Sequence, residues 1–239
     1  LDLLGDTSVA LRSAAVKSLA RVDADAFVTV LSGLDPDSSW VARAALATAL
    51  GTMPVERGLP RLQVMLRDED PKVLPAVLAS LVSLKAPDAG TVALDLLKHG
   101  DPVVRAAAAN ALATVKPTAG PPALVDAYQR SLTDTTYVAR AAVLSALVAY
   151  GPEVTRPLLV DALGDKDWAL RLRAAQLLDQ IAPSSGASAR IRPAPPAHPA
   201  DWYARPGLVS PAVSTHAFIE TDRGSVEIEL YVLDAPVMV

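Results

Sequence analysis

The sequence predicts a mainly α-helical protein: an α-solenoid of about six helix pairs, then a Pro-rich linker and a C-terminal β-hairpin. Three observations predict it. A unit typified by Asp101–Leu112 (DPVVRAAAANAL) recurs: Arg12, Arg43, Leu74, Arg105, Arg140 and Arg171 each stand seven residues before a Leu, at steps of 31, 31, 31, 35 and 31. The composition is 51% hydrophobic but only 4% aromatic, so the core must be built from small aliphatic groups on closely packed helices. Near residue 215 the apolar period changes from that of a helix to that of a strand.

Each repeat reads as two helices, and the second is the clearer. Asp6, Asp37, Asp68, Asp134 and Asp165 each lie six before the anchor residue. They are read as helix-opening caps, because a carboxylate accepts from the free N–H groups of a first turn. His99 interrupts this column, but Asp101-Pro102 follows at once, and Pro suits a first turn. Apolar residues then fall at helical spacing, as in Val104, Ala107, Ala108, Ala111 and Leu112. Eight before each anchor stands Leu4, Leu66, Leu97, Leu132 or Leu163, with Asp35 as the exception. The first helices are expected over roughly 24–34, 55–67, 86–98, 121–132 and 154–163, with turns at Gly51, Pro87 and Gly151. Pro75 beside Leu74 predicts a helix that starts late or bends, since Pro lacks a donor and clashes with the preceding turn. The one longer step predicts four extra residues at 116–122 (KPTAGPP), as an extended loop at one edge.

Paired helices with Asp before the second helix and Arg within it resemble HEAT repeats of a short bacterial type, over residues 1–182. The resemblance implies a scaffold that binds a protein partner or client polypeptide. The candidate partner surface is the Arg column (Arg12, Arg43, Arg105, Arg140, Arg171) and the aromatics three before an anchor (Trp40, Tyr137, Trp168). A ladder of guanidinium groups suits an acidic partner. The competing expectation is internal: each Arg pairs with a cap Asp or a carbonyl of its own or a neighbouring unit, because every unit needs the same glue. The aromatics likewise serve either as partner hot spots or as staples at helix starts.

Residues 183–215 are rich in Pro, Ala and Ser and read as an extended linker, with Trp202-Tyr203 expected to pin it to a domain surface. In 216–239, HAFIET and SVEIELY flank Asp222-Arg223-Gly224, and Val226, Ile228 and Leu230 alternate with Glu227 and Glu229. This is the pattern of a β-hairpin, which is marginal alone. Phe218–Val239, with Glu220-Thr221, Gly224, Ile228-Glu229-Leu230-Tyr231 and Asp234-Ala235-Pro236, resembles the opening of a cyclophilin-type peptidyl-prolyl cis-trans isomerase. The resemblance implies an isomerase domain truncated before its catalytic residues, so no catalytic residue is assigned and the chain itself is expected to be inactive. The alternative is a non-enzymatic scaffold whose hairpin caps the solenoid.

Other classes are disfavoured. The net charge of −4 gives no basic stripe for nucleic acid. No apolar run reaches the roughly eighteen residues that would cross a membrane. Without Cys there is no thiolate chemistry, and His99, His198 and His216 are scattered, so neither cofactor nor metal is expected. Asp161, Asp165 and Asp167 read as caps and solvated charge. LDLL at 1–4 reappears at 94–97, which reads as a start within a longer array and leaves location unassigned.

Overall fold

The computed structural model describes residues 2–33, 35–183, 185–191, 198–205 and 215–230. The chain divides into two compact units, Leu1–Arg192 and Pro193–Val239. The first contains, in chain order, α1 (Val9–Val22), α2 (Ala24–Ser32), α3 (Trp40–Leu50), α4 (Val55–Met65), α5 (Leu74–Ser83), α6 (Ala89–Leu96), α7 (Pro102–Val115), α8 (Gly120–Ser131), α9 (Val138–Val148), α10 (Pro152–Ala162) and α11 (Trp168–Ile181). The odd-numbered helices pack successively on one another as one layer. The even-numbered helices form the second layer, and α4, α6, α8 and α10 each pack on the odd helices before and after them. Helix α2 packs on α1 without packing closely on α3. This is the α-solenoid of helix pairs that the repeat spacing predicts.

Small side chains allow the layers to approach. Ala47, Ala108, Ala109, Ala139 and Ala174 are buried between successive odd helices, with Leu50, Leu81, Leu112, Leu147 and Leu178 closing each unit. The buried apolar residues form two clusters. One gathers Phe27, Leu50, Leu62, Val77 and Leu81, and the other Leu78, Leu112, Leu144, Leu159 and Leu178. They divide at α5, which sends Val77 and Leu81 to one and Leu78 to the other.

Three expectations are corrected. The Asp column at minus six does not cap the helices. The N-caps lie two residues later, at Ser8, Ser39, Asp101 and Asp167, and of these only Asp101 accepts through its side chain, from the Val103 N–H at 2.7 Å. Asp6, Asp37, Asp68 and Asp165 instead accept from the N–H two residues on, at 2.7, 2.8, 2.9 and 2.8 Å, which turns the chain into the helix. The four extra residues form no projecting loop. The connection from α7 to α8 spans only 116–119; α8 has 12 residues against 11 in α4 and α10 and 8 in α6, and α7 has 14 against 11 in α3 and α9 and 10 in α5. The extra length is therefore taken up mainly within the two helices of the unit. The compact unit also runs past 182. Ala187, on a 3-10 turn at Ala187–Arg190, is fully buried, and the Ser185 hydroxyl donates to Asp179 at 3.1 Å. The late start beside Pro75 is present, with a 3-10 turn at Pro71–Val73 preceding α5.

In the second unit, helical turn α12 (Ala200–Tyr203) breaks the expected extended linker. The Trp202 ring stacks on His198 with centroids 4.0 Å apart. Strands β1 (Thr215–Thr221) and β2 (Gly224–Leu230) pair antiparallel around Asp222-Arg223, with Ile219 opposite Val226 and Ala217 opposite Ile228. Gly224 has φ +126°, a conformation open to glycine at little cost. Phe218, Ile219, Val226 and Ile228 are exposed. Tyr231 and Asp234-Ala235-Pro236 lie outside the described residues.

Candidate functional site

The Arg column forms an internal ladder. Arg12 donates through Nε and Nη2 to both carboxylate oxygens of Asp37, at 2.6 and 2.9 Å, and Arg43 does the same to Asp68 at 2.8 and 2.9 Å. Each acceptor belongs to the next unit. The remaining Nη1 donates to carbonyls that open the helix in its own unit: Asp6 and Thr7 for Arg12, Asp37 and Ser38 for Arg43. Each guanidinium thus ties the turn of one unit to the turn of the next. The planar fork suits this role, because one group delivers a bidentate pair and further donors in fixed directions.

Arg140 is the most enclosed rung, with no exposed surface. It donates to both oxygens of Asp165 at 3.1 and 3.2 Å, to Asp167, and to the carbonyls of Ser131 and Thr136. Arg105 donates to Asp134 and to the His99 and Gly100 carbonyls, but its buried Nε is without a partner among the described residues. Arg171 is buried and donates to the Asp165 carbonyl of its own turn. Arg43, Arg105, Arg140 and Arg171 therefore direct their donors into the array, and Arg12 is only slightly more open. The geometry follows the internal expectation for this column.

One rung has different chemistry. At the third unit the anchor is the buried Leu74, and the residue 25 positions on, where Asp37 and Asp68 serve Arg12 and Arg43, is His99. Leu74 needs no carboxylate, and His99 keeps the other half of the acid's work: its Nδ1 accepts the Asp101 N–H at 3.0 Å. The two exceptions in the sequence columns are the two ends of one missing rung.

The pairing shifts the acids' titration. The Arg12 hydrogen bond holds the Asp37 carboxyl below its ordinary range against the opposing effect of burial. Burial pushes the Asp68 carboxyl up, but the Arg43 hydrogen bond, the Asp70 N–H and the Arg43 charge together take it below its ordinary range. Burial raises the Tyr128 hydroxyl to about 12.

The aromatics lie on the surface. Trp40 and Trp168 begin α3 and α11, Tyr137 caps α9, and their exposures are 38%, 50% and 41%. Lys72 of the next unit sits 5.2 Å from the Trp40 ring, and Arg171 sits 6.0 Å from Trp168. Val41, Val103 and Val138 are exposed beside this column, so an apolar edge recurs along the starts of the odd helices. The column pattern pointed to the aromatics, but the valines, one residue further on, look like ordinary helix positions in sequence.

A cavity of about 1040 Å3 opens where α2 stands off α3, and its far wall is α4. Val16, Leu31, Leu46, Leu50 and Met65 line it, with Arg57, Arg61, Arg67 and Asp35 around them. Two polar bridges span α2 and α4: Arg57 pairs with the exposed Asp25, and Arg61 donates to the Leu31 carbonyl at 2.7 Å. The signal for this site was present in the sequence as Asp35, the single break in the Leu column, though nothing in one sequence says what such a break opens.

Among the described residues no three His, Cys, Asp or Glu side chains gather as a metal site, and no helix is long and apolar enough to cross a membrane. No curated protein matches the chain significantly. Residues 27–113 match the family model of HEAT repeats, and over that stretch, α2 to α7, the array is a HEAT-repeat solenoid.

Proposed function

We propose that the chain is a protein-binding scaffold, with the exposed edge of the odd helices as the surface that meets the partner. HEAT repeats commonly mediate protein interactions, and the match at 27–113 brings that reading here. The observation that carries it is the edge itself: Trp40, Val41, Val103, Tyr137, Val138 and Trp168 recur along one line, half-exposed, on helices locked in register by buried arginines. Aromatic anchors on a rigid frame bind at low ordering cost. The test is co-purification from cell extract with the intact chain and with a variant carrying Trp40→Ala, Val103→Ser, Tyr137→Ala and Trp168→Ala. Proteins retained by the first and lost by the second, at unchanged helical circular dichroism, are the expected result. Identical retention removes the edge from the reading.

The finer proposal is that the array is the arm of a cyclophilin-type peptidyl-prolyl cis-trans isomerase, holding clients whose X–Pro bonds turn slowly. Its support is that β1 and β2 form an antiparallel hairpin over the residues whose pattern resembles that family's opening. The chain itself is expected not to accelerate proline isomerisation. The source gene downstream of the Val239 codon decides: a frame continuing into a Phe-His-Arg segment agrees, and a stop codon ends the proposal. Under the capping alternative, deleting 193–239 lowers the melting temperature of the array.

A further inference from the structure

We propose that the cavity between α2, α3 and α4 seats an acidic, leucine-bearing segment of the partner protein; this rests on the scaffold reading above and gives it a specific pocket. The array itself shows what fills such a place. In the column eight before the anchor, Leu97 and Leu163 are buried at 1% and 3% exposure and seal their own units, Leu4 and Leu66 are half-buried, and Leu132 is exposed. At Asp35 the column carries a carboxylate that is exposed, and α2 does not close on α3. The space left has an aliphatic floor, of which Leu31 and Leu50 are buried at 7% and 1%. A branched aliphatic side chain from outside would complete the contact that Leu97 and Leu163 make within their own units.

The rim selects the flanking chemistry. The Arg61 guanidinium reaches only a backbone carbonyl, and the exposed Arg67, just past the end of α4, has no carboxylate partner among the described residues. Arg57 is held only by Asp25, itself largely exposed, in a pair that solvent screens. Arg12 and Arg43 also line the cavity but are committed to Asp37, Asp68 and Glu69, which leaves Asp35 as the one lining carboxylate without a guanidinium partner among the described residues. Three guanidinium groups on one wall are thus available to meet carboxylates, while Val64, 71% exposed, offers apolar surface between them. A peptide with an aliphatic residue between acidic ones matches both features. It would lie between two helix walls, a geometry that polypeptide segments commonly use.

The experiment is a random twelve-residue phage display against the full chain, with counter-selection on Asp35→Leu, a variant designed to fill the cavity from within. Enriched peptides carrying Leu, Ile or Met flanked by Asp or Glu are expected, binding Asp35→Leu and the Arg61→Ser/Arg67→Ser double variant at least about tenfold more weakly. Peptides without acidic residues, or peptides bound equally by Asp35→Leu, overturn the proposal. So does self-association of the full chain that Asp35→Leu abolishes, since the occupant would then be a second copy. Peptides unaffected by both cavity variants but lost on the four-site edge variant sink the pocket and leave the scaffold standing. A library that enriches nothing on the intact chain sinks both.

Discussion

Between α9 and α11 the neighbouring units are joined through a guanidinium, whereas α5 packs on α7 with a buried leucine at the equivalent place. Arg140 is fully enclosed and satisfied by two carboxylates and two carbonyls. Leu74 occupies the same place in its unit with no polar obligations, and His99 opposite it has become a backbone acceptor only. The core divides at the same helix, α5. The array therefore holds a natural replacement of a buried ion pair beside the pairs it replaces. At the third junction the turn-forming role of the acid is kept and the charge is dispensed with, while Asp134 keeps the charge and, among the described residues, accepts no N–H from two residues on. That accords with the general finding that a buried pair taken out whole costs little, while breaking it by one partner costs much.

Four measurements test what each junction carries. Arg140→Ala strands Asp165 and Asp167, and global urea unfolding is expected to show a loss of about 3–5 kcal/mol. A loss below that of an ordinary surface substitution would mean the rung is not under load. Installing the third junction's chemistry at the second, as Arg43→Leu with Asp68→His, is expected to cost less than the two single changes added, with a coupling of about 0.5–3 kcal/mol in the double-mutant cycle. Additive losses would mean that the Leu74–His99 junction depends on its own surroundings. The third measurement is acid unfolding. Asp37 and Asp68 titrate below their ordinary value of 3.8, so the stability they contribute is present above that pH and is lost as pH falls below it toward the depressed values. The variant Arg43→Leu with Asp68→Asn should flatten the acid limb, because it removes one of these carboxylates and leaves no titrating group in its place. The smallest effect is expected from Lys72→Met, which removes the cation from the Trp40 face at an exposed site and should cost about 0.5–1 kcal/mol in thermal unfolding.

The fold was legible because periodicity is repeated evidence. Six anchors at nearly equal steps identify helix pairs more firmly than any single amphipathic stretch. Local turn chemistry was less legible. An Asp six before an Arg looks like a cap, and only the path of the chain shows that it turns two residues early and faces the preceding unit. The pairing of Leu74 with His99 lay in the columns as two separate irregularities; the 25-residue reach of Arg12 and Arg43 makes them one. The cavity was least legible, since it depends on how far α2 stands from α3, a distance that Asp35 permits without specifying.

The four extra residues between Arg105 and Arg140 bear on how such an array can vary. Four residues advance a helix by about 6 Å and rotate the next element by about 40° beyond a full turn. Asp134 still reaches Arg105 across that offset, but through one oxygen, and the Arg105 Nε is left without an acceptor among the described residues. A unit can thus absorb four residues within its helix pair with one hydrogen bond fewer, while the odd-numbered helices keep their stacking. Unit length can drift by about a turn between descendants of such a chain, and insertions of one or two residues, which would swing the next acid away from its arginine, are the ones that selection would remove.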